Sequence, residues 1–149
     1  RPLEDRKKRL YTKCKGVLVR KRAAARPLSE TIRKLNEIIR GWINYYRIGS
    51  MKQFMDKFGQ WLRHKVRVVI VKQWKKPKRI YLNLQKLNRI FKCKMTEEDI
   101  FKVANSRLGW YKRCAMNVVN FLLSPKVLAI PNRKRRRPGL IDPLAYYLS

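Results

Sequence analysis

Ile32, Leu35, Ile39, Trp42 and Tyr46 recur at steps of three, four, three and four residues. An α-helix puts that spacing on one face, and a strand does not. The stripe predicts a helix over 29–47. Ser29 would cap it, Glu30 would sit at its positive N-terminal end, and Gly49 would be a left-handed residue past its C-terminus. Ile38, Ile43 and Tyr45 widen the apolar face. A second stripe follows at once, through Met51, Phe54, Met55, Phe58, Trp61, Leu62, Val66 and Val69. Ser50-Met51-Lys52-Gln53 has the S-x-x-Q form of a capping box, and the helix should run to about Lys76, before Pro77. A link of two or three residues between such helices predicts an antiparallel hairpin. Val66 to Val71 is rich in β-branched residues, but the helical stripe passes through it.

The remaining segments also read as helical. Leu3, Leu10, Cys14 and Val17 make one narrow stripe near the start. Ala23-Ala24-Ala25 either extends that helix or bridges to the break at Pro27. Residues 80–92 predict a helix with Tyr81, Leu84, Leu87 and Phe91 inward. Thr96 caps the next, whose first turn holds Glu97, Glu98 and Asp99 and whose inner face holds Ile100, Val103 and Ala104. Ser106 caps a further helix to about Leu123, which Ser124-Pro125 breaks. Residues 131–139 read as a solvated basic loop. Leu140 to Leu148 makes a short terminal helix or turn that packs Leu144 and Tyr147. The fold class is all-α. Residues 80–95 carry no acid and three acids follow at 97–99, so the chain divides into 1–95 and 96–149.

Charge narrows the function. Thirty-nine Lys and Arg against nine Asp and Glu leave a net charge of +30 on 149 residues. A free-standing small domain usually carries roughly 2–8 charges of one sign. At +30 the chain repels itself, and a polyanion is the expected partner. A hydrophobic fraction of 45% and an aromatic fraction of 11% exclude a disordered basic tail. No apolar run is long enough to span a membrane, so no membrane partner is expected, and no secretory signal opens the chain. The first residue is not Met, which suggests a piece of a longer protein. Cys14, Cys93 and Cys114, odd in number and widely spaced, read as reduced thiols of a cytosolic protein. With one histidine and scattered acids, neither a catalytic triad nor a metal site is expected, and no cofactor is needed by this piece.

Four cationic features carry the binding argument. The 63–79 run places Lys65, Lys72, Lys75, Lys76 and Arg79 at helical spacings away from the core stripe, a ladder for a phosphate backbone. An ordinary solvated face is the rival reading, but only Asp56 is acidic between 50 and 79. In Arg40-Gly41-Trp42-Ile43-Asn44-Tyr45-Tyr46-Arg47, packing is the better reading for Trp42 and Tyr46. Gly41 costs a helix about 1 kcal/mol relative to Ala, so it must allow a close approach, by another helix or by a nucleic-acid backbone. Basic segments at 6–9 and 133–137 read as phosphate clamps, localisation signals or solvated tails. Asn105 to Arg113 interleaves aromatics with cations, which serves either a core or base stacking. The candidate RNA or DNA contacts are Arg20, Lys21, Arg22, Arg40, Asn44, Arg63, Lys65, Arg67, Lys72, Gln73, Lys75, Lys76, Lys78 and Arg79, then Arg107, Lys112, Arg113 and Arg133, Lys134, Arg135, Arg136, Arg137. No catalytic residue is assigned.

Leu35-Asn36 and Arg40-Gly41-Trp42-Ile43-Asn44-Tyr45-Tyr46 resemble the signature of the maturase domain, or domain X, of group II intron-encoded reverse transcriptases. Trp61-Leu62-Arg63 with Val71 to Lys78 is similar to that family's next helix. Ala104 to Tyr111 resembles the motif after it, and Gly139 to Leu148 resembles the ending of bacterial, endonuclease-free members. Residues 1–26 match more loosely, as a first thumb helix. The resemblance implies a three-helix thumb bundle followed by a small helical DNA-binding region. It implies as partners a group II intron RNA, a template–primer duplex, target DNA, and the fingers and palm of the same protein. The polymerase site and its Mg²⁺ would lie in that catalytic half, and the intron ribozyme also needs Mg²⁺. A sequence-specific DNA-binding module and a structural RNA-packaging protein are the alternatives.

Overall fold

The structure, a computed structural model, describes residues 2–47 and 49–149, with the side chains of Pro2 and Arg20 outside that description. Among the described residues ten helices form and no strand does. They are α1 (Pro2–Val17), α2 (Arg20–Ala25), α3 (Leu28–Tyr45), α4 (Lys52–Trp74), α5 (Pro77–Phe91), α6 (Glu97–Ala104), α7 (Trp110–Cys114), α8 (Asn117–Leu122), α9 (Pro125–Leu128) and α10 (Pro143–Leu148). The fold is all-α, as the periodicity predicts.

α4 is the axis, because α2, α5, α7 and α10 all pack on it. That surrounding explains Val66 to Val71, whose six residues are all buried. A helix with neighbours on every side is apolar all round, so its β-branched run marks burial rather than a strand. Each fully buried Val or Ile contributes about 1.5–3 kcal/mol, which offsets the cost of taking Arg67 inside with them. α1 packs on α3, and its Leu10 and Cys14 are buried, while Leu3 is exposed. Burial pushes the Cys14 thiol up to about 12. No two of the three cysteines are bridged.

Several local expectations are corrected. Ser29 lies inside α3 and caps nothing, because Pro27 takes the N-cap position and its carbonyl accepts from Glu30 N at 3.0 Å. α3 ends at Tyr45, and Gly49, at φ +96°, lies further on in the link. The Ser50 capping box does not form. Met51 is the N-cap of α4, and its N–H donates to Tyr147 Oη at 3.1 Å, so a distant tyrosine replaces the local serine. Residues 46–51 join α3 to α4, a longer link than the two or three residues expected, and α10 packs on both helices. Tyr45, expected in the core, is 73% exposed, and Phe91 is exposed too. α4 stops at Trp74, where Lys75 takes φ 66°, and Pro77 opens α5 instead of preceding it. Proline fits there because the first helical turn has no use for its missing N–H.

Thr96 caps α6 as predicted, accepting from Asp99 N at 3.1 Å. The single helix expected from Ser106 to Leu123 is two, α7 and α8. Cys114 belongs to the α4 side, whereas α8 packs on α5 and α6, and one straight helix does not serve both. α7 and α10 on α4 place residues on either side of 95 in one continuous core.

Candidate nucleic-acid interface

The outer face of α3 carries Arg33, Glu37, Arg40 and Asn44 at steps of four, three and four, opposite its core stripe. Two grooves flank this ridge. One, of about 340 Å³, lies between α3 and α1 and is walled by Arg6, Arg9 and Lys13, with Gly41, Trp42 and Tyr45 on the α3 side. The other, of about 580 Å³, lies between α3 and residues 131–138 and gathers Arg33, Arg40, Arg133, Arg136 and Arg137. Glu37 lines both, so the grooves adjoin.

The second wall is a short hairpin. Asn132 and Arg137 exchange backbone hydrogen bonds of 2.8 and 2.9 Å, and Asn132 Oδ1 accepts from Arg135 N. Arg136 takes a left-handed φ of 51° at the tip. Arg133, Lys134, Arg135 and Arg136 are exposed, and Arg137 is half-buried. Burial, and then the charge of Arg135, lower the Arg137 guanidinium below its ordinary value. The hairpin is held to α3 by Asn36, whose Nδ2 donates to Gly139 O at 2.9 Å and whose Oδ1 accepts from Ile141 N at 3.0 Å.

The 63–79 ladder is broken at the α4–α5 corner. Lys75, Lys76, Lys78 and Arg79 are exposed there, with Lys78 and Arg79 in an α5 first turn that has no acid. Cations at a helix N-terminus are electrostatically unfavourable, so this corner favours an external anion. Lys72 is half-buried. Lys65 lies over the Tyr111 ring at 5.3 Å, and Tyr111 meets His64 edge-on. His64 is lowered from its ordinary value by burial, then by Lys65 and Arg67. Arg67 faces inward, 7% exposed, and its Nε donates to Leu123 O at 2.7 Å. Arg63 pairs with Asp142 at 3.6 Å. Gln73 donates to Ala23 O and Arg26 O, at 2.9 and 2.8 Å, and thereby ties α2 to α4.

The other candidates fall on separate patches. Lys21 and Arg22 are exposed on α2, while the Arg20 side chain lies outside the described residues. Asn44 is exposed, but its Oδ1 accepts from Tyr146 Oη at 3.1 Å. Arg107 and Lys112 are exposed on either side of Gly109. Arg113 lies over Trp110 at 4.7 Å and donates to Ser106 O at 2.6 Å, so it braces α7. Trp42 packs, donating to Arg6 O at 3.1 Å. Arg6 and Arg9 belong to the basic 6–9 segment that reads as a clamp, whereas Lys13 and Arg33 were not among the expected contacts, although 6, 9 and 13 step by three and four along α1. No cluster of His, Cys, Asp and Glu with metal-binding spacing forms among the described residues. No described helix is long and apolar enough to cross a membrane.

The helical scaffold presents two adjoining cationic grooves, whose charge is complementary to a polyanion. The group II intron maturase-specific domain matches residues 7–89, more than half of the chain, and the protein belongs to that family. The matched residues run from α1 into α5 and include the α3 ridge. No curated protein matches the chain.

Proposed function

We propose that the protein binds a group II intron RNA and stabilises the folded form in which the intron splices. The observation that carries this is the pair of grooves along α3, where eight cations face one carboxylate. Phosphates crowded together by RNA folding repel one another, and fixed guanidinium and ammonium groups lower that cost. Shape and 2′-hydroxyl contacts would supply the preference for RNA. Neutralising about eight phosphates makes log K fall with log[salt] at a slope of roughly −6 to −7. Filter binding of the protein to a group II intron RNA across a salt series measures it, and a slope near zero overturns the reading. The same protein should stimulate intron splicing at low Mg²⁺, and tight binding without stimulation would point to packaging instead.

The reading extends to a longer polypeptide. The chain would form the thumb, gripping the template–primer duplex beside fingers and palm that carry an RNA-directed DNA polymerase and its Mg²⁺. Residues 96–149 would contact target DNA during insertion of the intron, in a cytoplasmic, bacterial setting. The exposed cations of the α4–α5 corner, α2 and α7 would serve these contacts, and competition between intron RNA and duplex DNA separates them from the α3 grooves.

A further inference from the structure

We propose that the groove between α1 and α3 takes a single unpaired nucleotide of the bound RNA, with Gly41 under its backbone, Tyr45 stacked on its base and Glu37 reading the base edge. This rests on the RNA-holding function proposed above and names the nucleotide class that one groove accepts.

Gly41 supplies the first observation. A Cβ built there meets no atom within 4 Å, so no described helix makes use of the missing side chain. The residue nonetheless costs α3 about 1 kcal/mol relative to Ala. What gains from it is something outside the fold, lying against the floor of the groove.

Tyr45 supplies the second. It follows the core stripe in sequence, yet the residue is 73% exposed. The Tyr45 and Tyr46 rings lie 4.7 Å apart at 84°, and Arg6 donates to the Tyr46 hydroxyl, so the supporting ring is held while Tyr45 itself stays largely exposed. A duplex hides its base faces, and only an unpaired base offers one to such a platform. The groove volume of about 340 Å³ lies at the small end of ligand sites, too small for a helix of nucleic acid.

Glu37 supplies the third. Among the described residues it makes no ion pair, although Arg6, Arg9 and Lys13 line the same groove. A carboxylate beside a phosphate backbone is repulsive unless it accepts hydrogen bonds. The donors available are the amino groups of adenine and cytosine and the imino and amino groups of guanine, which alone places two donors side by side. Uracil presents carbonyl oxygens on both sides of its single donor and is disfavoured.

The test uses fluorescence anisotropy with labelled U-tract RNAs, either uniform or carrying one central G or C, and a short RNA duplex. The wild-type protein should bind the G or C strand more tightly than the uniform one. Tyr45→Ala should weaken single-strand binding by about 5- to 100-fold, with Tyr45→Phe restoring it. Gly41→Leu, which favours the helix and fills the floor, should weaken it similarly. Glu37→Gln should retain affinity and erase the base preference. Duplex affinity should hold within about twofold in every variant. Wild-type single-strand binding by Tyr45→Ala and Gly41→Leu, or no base preference in the wild type, overturns the proposal. If such a protein still binds intron RNA with a steep salt slope, the RNA-holding function stands and only the groove assignment falls. A protein with no salt-dependent RNA affinity overturns both.

Discussion

Arg67 and Gly139 show how little a residue's type says about its work. Arg67 lies in a run of cations and reads as one more phosphate contact. In the structure its guanidinium is buried, lowered to about 10 by that burial and then by the charge of Arg63. Its hydrogen bond to Leu123 O makes it a brace between α4 and the end of α8. Helical spacing separates inside from outside only when one face is wet, and the Val66–Val71 stretch has no wet face. Gly139 is constrained by space rather than by backbone angle. A Cβ there would stand 1.9 Å from Ala129 O, a backbone atom that cannot swing aside. Gly139→Ala should therefore destabilise the fold by about 3 kcal/mol, read as a fall in the urea midpoint. An unchanged midpoint would mean that the 129–139 approach is loose. Asn36 would also lose its grip on the Gly139 carbonyl, so the hairpin wall of the second groove should open in the same variant.

At the scale of elements, helices with a long stripe or a clear cap were legible, and the breaks between α7, α8 and α9 were not. α3, α4 and α6 follow from stripes and, for α6, from a threonine followed by three acids. Pattern fails at ends, because an end is closed by whichever polar group lies nearest in space. Ser29 and Ser50 have the right chemistry, but a proline carbonyl and the Tyr147 hydroxyl take their places. The same rule accounts for Gln73, which was read as an RNA contact. Its side-chain amide donates to two carbonyls at the end of α2, groups with no partner inside their own helix. Gln73→Ala should cost about 1–3 kcal/mol in chemical denaturation, since two part-buried acceptors lose their donor. RNA affinity measured well below the melting temperature should change little. A variant as stable as wild type would show that water replaces the amide freely.

Over the whole molecule, +30 charges confined to one fold make stability depend on ions. Four ion pairs are formed among the described residues, three of them within single helical turns, so the repulsion is largely uncompensated. Raising salt from about 10 to 200 mM shortens the Debye length from roughly 30 Å to below 10 Å. The melting temperature should rise by about 3 °C for each kcal/mol of repulsion removed, followed by circular dichroism. A melting temperature that falls with salt would show that attraction between charges dominates the fold. The sequence by itself determined the helical class, the large excess of positive charge and, through Arg40 to Tyr46, the family. Those follow from spacing and net charge, which are properties of the chain. Only the tertiary structure decided which cations face outward together. It turned Arg67 and Gln73 inward, set the 131–138 hairpin beside α3, and left Gly41 open with Tyr45 above it. A groove has two walls, and the residues of its walls lie some thirty to a hundred positions apart. No local periodicity records that distance, because packing of apolar faces chooses the neighbours and the surface cations follow.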